Sequence, residues 1–252
     1  QYFRVSYKGE KMKVKFLILL LLLSVFLFAE THEAKDEADE YMHFNNYRDE
    51  QTNANYFKAV EHYTEQLRSD ATDYNANMML SYLHLMELNK NLDVLETNLD
   101  SLMNRTKFSY ANLLLDLGQS EESVKIYNQI TDATPNWSCP WRHKGEALLK
   151  TKDFEEAEKA TLMAIETREN HFDAYTQLAE IQIQMGKNKI ALETFNKGLE
   201  FYSSDTEEEI ADIDVKFLQM KLWKLNKMTE NEAYKKLIKE LKEEAPDDER
   251  LK

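Results

Sequence analysis

A shift of 34 residues brings this 252-residue chain into register with itself over three consecutive segments, 104–137, 138–171 and 172–205. Small residues coincide at Ala111, Gly145 and Ala179, and again at Ser123, Ala157 and Ala191. Large ones fill the complementary places, Trp141 with Tyr175, Leu114 with Leu148 and Tyr127 with Phe195. Within a segment, apolar residues return every three or four places, as a helix with one buried face requires. The pattern breaks once, at Gly118-Gln119-Ser120 in the first segment. Gly118 and Gly186 hold the same place, where a residue without Cβ takes the left-handed conformation that ends a helix. Lys152 holds that place in the middle segment, and Pro135 closes the first. Each segment therefore reads as two amphipathic helices of about 13 residues joined by a short turn. One such pair cannot bury its apolar face alone, so the pairs must stack. With 5 Gly and 3 Pro in the whole chain, a sheet protein built on tight turns lacks the residues to make them.

The 34-residue pattern resembles the tetratricopeptide repeat (TPR) family, with Trp141, Gly145, Leu148, Ala157 and Ala164 standing where that family places its signature residues. Tyr175, Leu178, Ala179, Gly186, Ala191 and Phe195 do so in the next segment. Pro135 fits the terminal proline, while Glu169 and Ser203 depart from it. The resemblance implies an all-α fold, a right-handed superhelical solenoid of stacked antiparallel helix pairs. It also implies that the first helix of each pair lines a concave groove. The candidate groove residues are Arg105, Phe108 and Asn112, then Arg142, His143, Glu146 and Lys150, then Asp173, Thr176, Gln177 and Glu180. Arg105, Arg142 and Lys150 are the cations that could grip a carboxylate or an acidic peptide. Phe108 occupies a place where the family's chaperone-tail clamp needs Lys, so that function is not carried over.

Flanking segments read as degenerate pairs. Upstream, 56–63 resembles a second helix, and Tyr74 to Glu87 followed by Leu92 to Met103 reads as a pair; downstream, Ile210 to Leu225 and Glu232 to Leu241 make a last one. That gives about five to six units, arranged as degenerate repeats over 30–103, clear ones over 104–205, and a final repeat with an acidic tail over 206–252. No Pro, Gly or Ser run is long enough to mark a linker, so 30–252 reads as one domain. Asp153 with Glu156, and Thr229 with Glu232, have the spacing of capping boxes.

Residues 16–28 form a 13-residue run without a charge, preceded by Lys13 and Lys15 and followed by Ala29 and Glu30. This is the pattern of a secretory signal peptide cut after Ala29, and it is short for a spanning helix, which takes roughly 20 apolar residues. The alternative is an uncleaved anchor. Gln1 to Lys11 reads as upstream sequence of a bacterial gene whose start is Met12, because Lys8-Gly9-Glu10 can be encoded by a purine-rich ribosome-binding sequence; the alternative is a genuine N-terminal extension of the protein. The expected location is the periplasm or envelope.

The net charge of −14 argues against nucleic acid as a partner. Residues 1–29 carry five basic residues against Glu10 alone, so without them the balance is −18. Cys139 is the single cysteine and has no partner for an intramolecular disulfide. The six histidines, His32, His43, His62, His84, His143 and His171, make no metal-binding spacing, and no nucleophile or phosphate-loop motif occurs. The sequence thus predicts no enzyme and no cofactor. It points to a scaffold that binds a protein or peptide, with an oligomerising repeat that stabilises an envelope assembly as the alternative.

Overall fold

Among the described residues four have positive φ: Gly118 at 77°, Lys152 at 65°, Gly186 at 74° and Lys227 at 59°. Each stands two residues beyond a helix end and closes it with the same pair of backbone bonds. At Lys152, for example, its own N–H donates to Leu149 O and the Asp153 N–H to Leu148 O, both at 3.0 Å. The three expected stops are present. Lys227 adds a fourth, 41 residues after Gly186 in place of 34. A left-handed residue with a Cβ costs roughly 1 kcal/mol that glycine avoids. Lys152→Gly and Lys227→Gly are therefore each expected to raise the urea midpoint, by about 1 kcal/mol in stability. Unchanged or lower midpoints would show that the lysine side chains contribute more than the backbone loses.

The computed structural model describes residues 41–202 and 212–251. Among them every regular element is helical, eleven α-helices and two short 3-10 turns. The upstream extension, the Met12 start and the leader read in 1–29 lie outside the described residues, as does the acidic segment 205–209. No helix among the described residues is long and apolar enough to cross a membrane.

The contacts divide the chain into two compact units, unit 1 ending at Asp100 and unit 2 beginning at Ser101. The sequence reading anticipated one domain. The junction falls in a 3-10 turn, Leu99–Ser101, which carries no Pro or Gly, so composition does not reveal it.

In unit 1, α1 (Met42–Asp49) packs on α2 (Asn53–Ser69), and α2 on α3 (Tyr74–Thr97). Thr52 and Asp73 cap α2 and α3, their side chains accepting from the N–H groups of Asn55 and Ala76. Phe44, Tyr47, Ala59, Tyr63, Ala76, Met79, Leu83 and Met86 form the core. The helix pair expected over 74–103 is instead one helix of 24 residues. Leu88-Asn89-Lys90-Asn91 contains no breaker. Asn costs a helix only about 0.7 kcal/mol, Leu92 is buried, and Lys90 reaches back to Glu87 at 3.3 Å. The helix has every local reason to continue.

Unit 2 holds α4 (Asn104–Asp116), α5 (Ser120–Ala133), α6 (Ser138–Lys150), α7 (Phe154–Thr167), α8 (Phe172–Gln184), α9 (Asn188–Leu199), α10 (Asp212–Leu225) and α11 (Glu232–Glu244). They pack as adjacent pairs, α4 with α5, α6 with α7, α8 with α9 and α10 with α11. Ala111, Ala157, Ala179, Ala191 and Ser123 are all fully buried at the approaches. Gly198 marks a further close approach, since a Cβ there would lie 2.5 Å from the Tyr175 Cβ. Asp153 caps α7 as expected, accepting from the Glu156 N–H. The cap of α11 is Asn231, which accepts from the Ala233 N–H at 2.8 Å, and not Thr229, because the helix begins at Glu232. The acidic tail also docks. Arg250 bonds Asp214 at 2.6 Å and lies 3.7 Å from the Phe217 ring, and Leu251 packs on the cluster of Phe217, Met220, Leu237 and Leu241.

Candidate functional site

The first helices of successive pairs in unit 2 lie side by side, α4 on α6 and α6 on α8, while α5, α7 and α9 each also pack on the first helix of the following pair. Gly145 permits this in the middle. A Cβ on it would overlap Thr161 Oγ1 and come within 2.6 Å of Gln177 Nε2. Gln177 can therefore reach across from α8, donating to Arg142 O at 2.8 Å and to Thr161 Oγ1 at 2.9 Å. One amide thus ties α6, α7 and α8 together.

Around this tie the structure gathers most of the residues read as groove candidates. Arg142 is 7% exposed, and its Nη2 lies 2.7 Å from His143 Nε2. Burial first, then Arg142, His171 and Lys150, push the His143 imidazole down to about 3, so it is neutral at pH 7. Because a guanidinium only donates, Nε2 is the acceptor and Nδ1 carries the proton. Glu146 stands 3.8 Å from Arg142 and 3.1 Å from Lys150. Phe108 packs on Trp137 and His143, with ring centroids 5.0 and 5.1 Å apart. Asn112 accepts from the Tyr127 hydroxyl at 2.5 Å. Asp173, Thr176 and Gln177 are buried, and the Thr176 hydroxyl is turned to Asp173 O. Arg105 and Glu180 are exposed. Of the three cations expected to form a grip, Arg142 is enclosed, Lys150 is joined to Glu146, and Arg105 is exposed with no ion pair among the described residues.

Glu180 differs from its neighbours. Water reaches it, yet its carboxyl is pushed up from the ordinary range, first by the protein packed around it, with Lys221 opposing and Asp214 and Glu146 reinforcing. Asp214 and Lys221 belong to α10 and were not among the sequence candidates. They stand 41 residues after Asp173 and Glu180, in the same repeat positions once the longer connection before α10 is allowed for. Asn112, Glu146, Glu180 and Lys221 thus form one row, a single position repeated along four helices. Strict spacing of 34 stops short of the last.

A second buried network holds the far end of these helices. Ser138 Oγ lies 2.9 Å from Ala164 O and 2.8 Å from His171 Nδ1. The hydroxyl has one proton, which Ala164 O can take only if His171 Nδ1–H donates to Ser138. Burial, ahead of Arg168 and Arg142, pushes His171 down to about 4. Cys139, next to Ser138, is half-buried and free.

The sequence profile of the tetratricopeptide repeat matches residues 105–136 and 172–205. No curated protein matches the chain. Among solved structures, one from a functional characterization of Pseudomonas aeruginosa pilF is similar at 14% identity, over 87% of this chain and 97% of that one, with a TM-score of 0.53. At that identity the likeness speaks for the fold alone. YrrB, a TPR protein with an unusual peptide-binding site, is 15% identical over 61% of this chain and 74% of its own, at a TM-score of 0.48. MamA is 15% identical over 76% and 96%, at 0.49. Between the two matched segments, residues 138–171 keep the same register, with Lys152 at the stop that Gly118 and Gly186 hold. The chain therefore carries tetratricopeptide repeats, the helix-pair unit of a protein-interaction fold.

Proposed function

We propose that unit 2 is a non-catalytic scaffold that binds a peptide or protein segment along the row formed by α4, α6, α8 and α10, and that it works in the bacterial envelope after export. What supports the binding site is the row itself: the first helices of successive pairs lie side by side, and Glu180 is exposed on it, with the charges of Lys221 and Glu146 acting on its carboxyl. The charges along those helices are mixed, and Glu146 is already paired with Lys150. This favours a partner read by several polar contacts over one held by a single cationic grip. The leader-like residues 1–29 motivate the export reading.

The test is to isolate a partner from an envelope extract by capture on the chain, then titrate it against purified protein. Glu180→Lys, a charge reversal at an exposed position, is expected to weaken binding at least tenfold with the melting curve unchanged. Equal affinity would remove this row from the interface.

A further inference from the structure

The fold of unit 1 brings together two histidines that share no metal-binding spacing in sequence. His43 stands on α1 and His62 on α2, with ring centroids 4.5 Å apart and planes inclined at 39°. His62 Nε2 is closed to water and has no hydrogen-bond partner among the described residues, while His43 is only half-buried. A buried ring nitrogen of this kind is held at a cost unless something binds it. Burial, ahead of His43, holds the His62 imidazole below its ordinary range. At pH 7 it is therefore neutral, and one of its nitrogens has a lone pair to give.

We infer that His43 and His62 form a two-histidine site for a divalent transition cation, copper(II) before the others, which fastens α1 to α2. The spacing supports this choice. Imidazole nitrogens bind such ions at ~2.0–2.1 Å, so two rings on one ion have centroids about 4.5 Å apart when the two bonds meet at a right angle and about 5.2 Å when they meet at a tetrahedral one. The observed 4.5 Å is the right-angle value. That is the geometry of copper(II) and nickel(II), and copper(II) binds nitrogen ligands more tightly than nickel(II) or zinc(II). Calcium and magnesium are disfavoured because they take oxygen ligands. Among the described residues no third His, Cys, Asp or Glu completes a cluster, so water, which reaches His43, fills the remaining positions. The helix α1 is where such a clip has most effect. It is 8 residues long and buries only Phe44 and Tyr47, and so short a helix is not stable by itself. The site belongs to unit 1 and does not rest on the groove of unit 2.

The test is a titration of copper(II) chloride into the full chain at pH 7, with hydrogen exchange read by mass spectrometry. One equivalent is expected to bind at micromolar concentration with an electron paramagnetic resonance signal split by two nitrogens, and the amides of α1 are expected to exchange at least tenfold more slowly with the ion than without it. His43→Asn and His62→Gln should each weaken binding at least tenfold and remove the slowing. His84→Gln, at an exposed histidine of the same unit that meets Tyr56, should leave both as in the parent. Zinc(II) is expected to bind more weakly than copper(II). Exchange in α2 without metal checks that the variants fold, and the slowing of α1 in the parent needs no variant. Copper that binds without slowing α1, binding that survives both substitutions, or no binding up to millimolar copper would each overturn the site.

Discussion

Gly145→Ala is expected to destabilise unit 2 by about 3 kcal/mol, the sum of overpacking a tight approach and disturbing a buried polar tie. In an ordinary helix the same change stabilises by roughly 1 kcal/mol, so the sign itself is the test. The added methyl would overlap Thr161 Oγ1, crowd Gln177 Nε2 at 2.6 Å and meet Ala157 O at 3.3 Å. None of the three can step aside cheaply. Thr161 is held by its bond to Ala157 O at 2.9 Å, the Ala157 oxygen is backbone, and moving Gln177 breaks its bonds to Arg142 O and Thr161. Trp137, Trp141 and Trp223, the chain's three tryptophans, all fall in unit 2, so their fluorescence reports this unit. A urea titration should show the midpoint fall, with a melting temperature lower by about 6–12 °C. Adding Thr161→Ala should restore part of the loss, because it removes the first atom the methyl meets. A single variant as stable as the parent would mean the helices can separate freely.

Acidification from pH 7 to pH 5 is expected to cost unit 2 about 4 kcal/mol through His143 and His171. Both have folded values below pH 5, about 3 and about 4, while an unfolded histidine titrates near 6.5. Below 6.5 the unfolded chain binds protons that the folded chain refuses, so stability falls as pH falls. Between 6.5 and 5 each group loses ~1.5 pH units of linkage, or about 2 kcal/mol. The loss continues toward the folded values and levels off beneath them. Glu180 acts in the opposite direction, since its raised value favours the protonated folded form, but it is exposed and its share is screened. Urea midpoints read by tryptophan fluorescence at pH 7.5, 6 and 5 check the slope. His143→Gln and His171→Asn should each flatten it by about half. A midpoint independent of pH over that range would show that these imidazoles are open to water.

The helix pairs of unit 2 were legible because their signals are local and repeated. Gly118, Gly145, Ala157 and Gly186 each mark a backbone position that admits little else, and a shift of 34 exposes them. Unit 1 was less legible. The break expected near 88–91 rested on continuing the repeat, while the residues there carry no stop, and the local propensities prevailed. The candidate groove was read from spacing alone, which assigns a face but not what the neighbours do with it. That Arg142 is enclosed by His143 and Glu146, and that Gln177 is spent on Arg142 O and Thr161, follow from three helices meeting. No single segment encodes that. Gly198, overlooked as a marker, aligns with Ala164 one repeat earlier and could have been found by asking which small residues recur.

The four left-handed stops divide the chain so that everything between two of them is interchangeable in phase. Excising 153–186 would join Lys152 to Lys187, leaving one left-handed residue before one second-helix start, as in the parent. The extra seven residues between Gly186 and Lys227 fall in the longer connection between α9 and α10, outside either pair. Whole pairs can thus be lost or duplicated, and loops between pairs lengthened, while an insertion of even one residue between a first helix and its stop would shift every apolar face that follows within the pair. The chain's length is free to change in some places and fixed in others, and the positions of Gly118, Lys152, Gly186 and Lys227 say which.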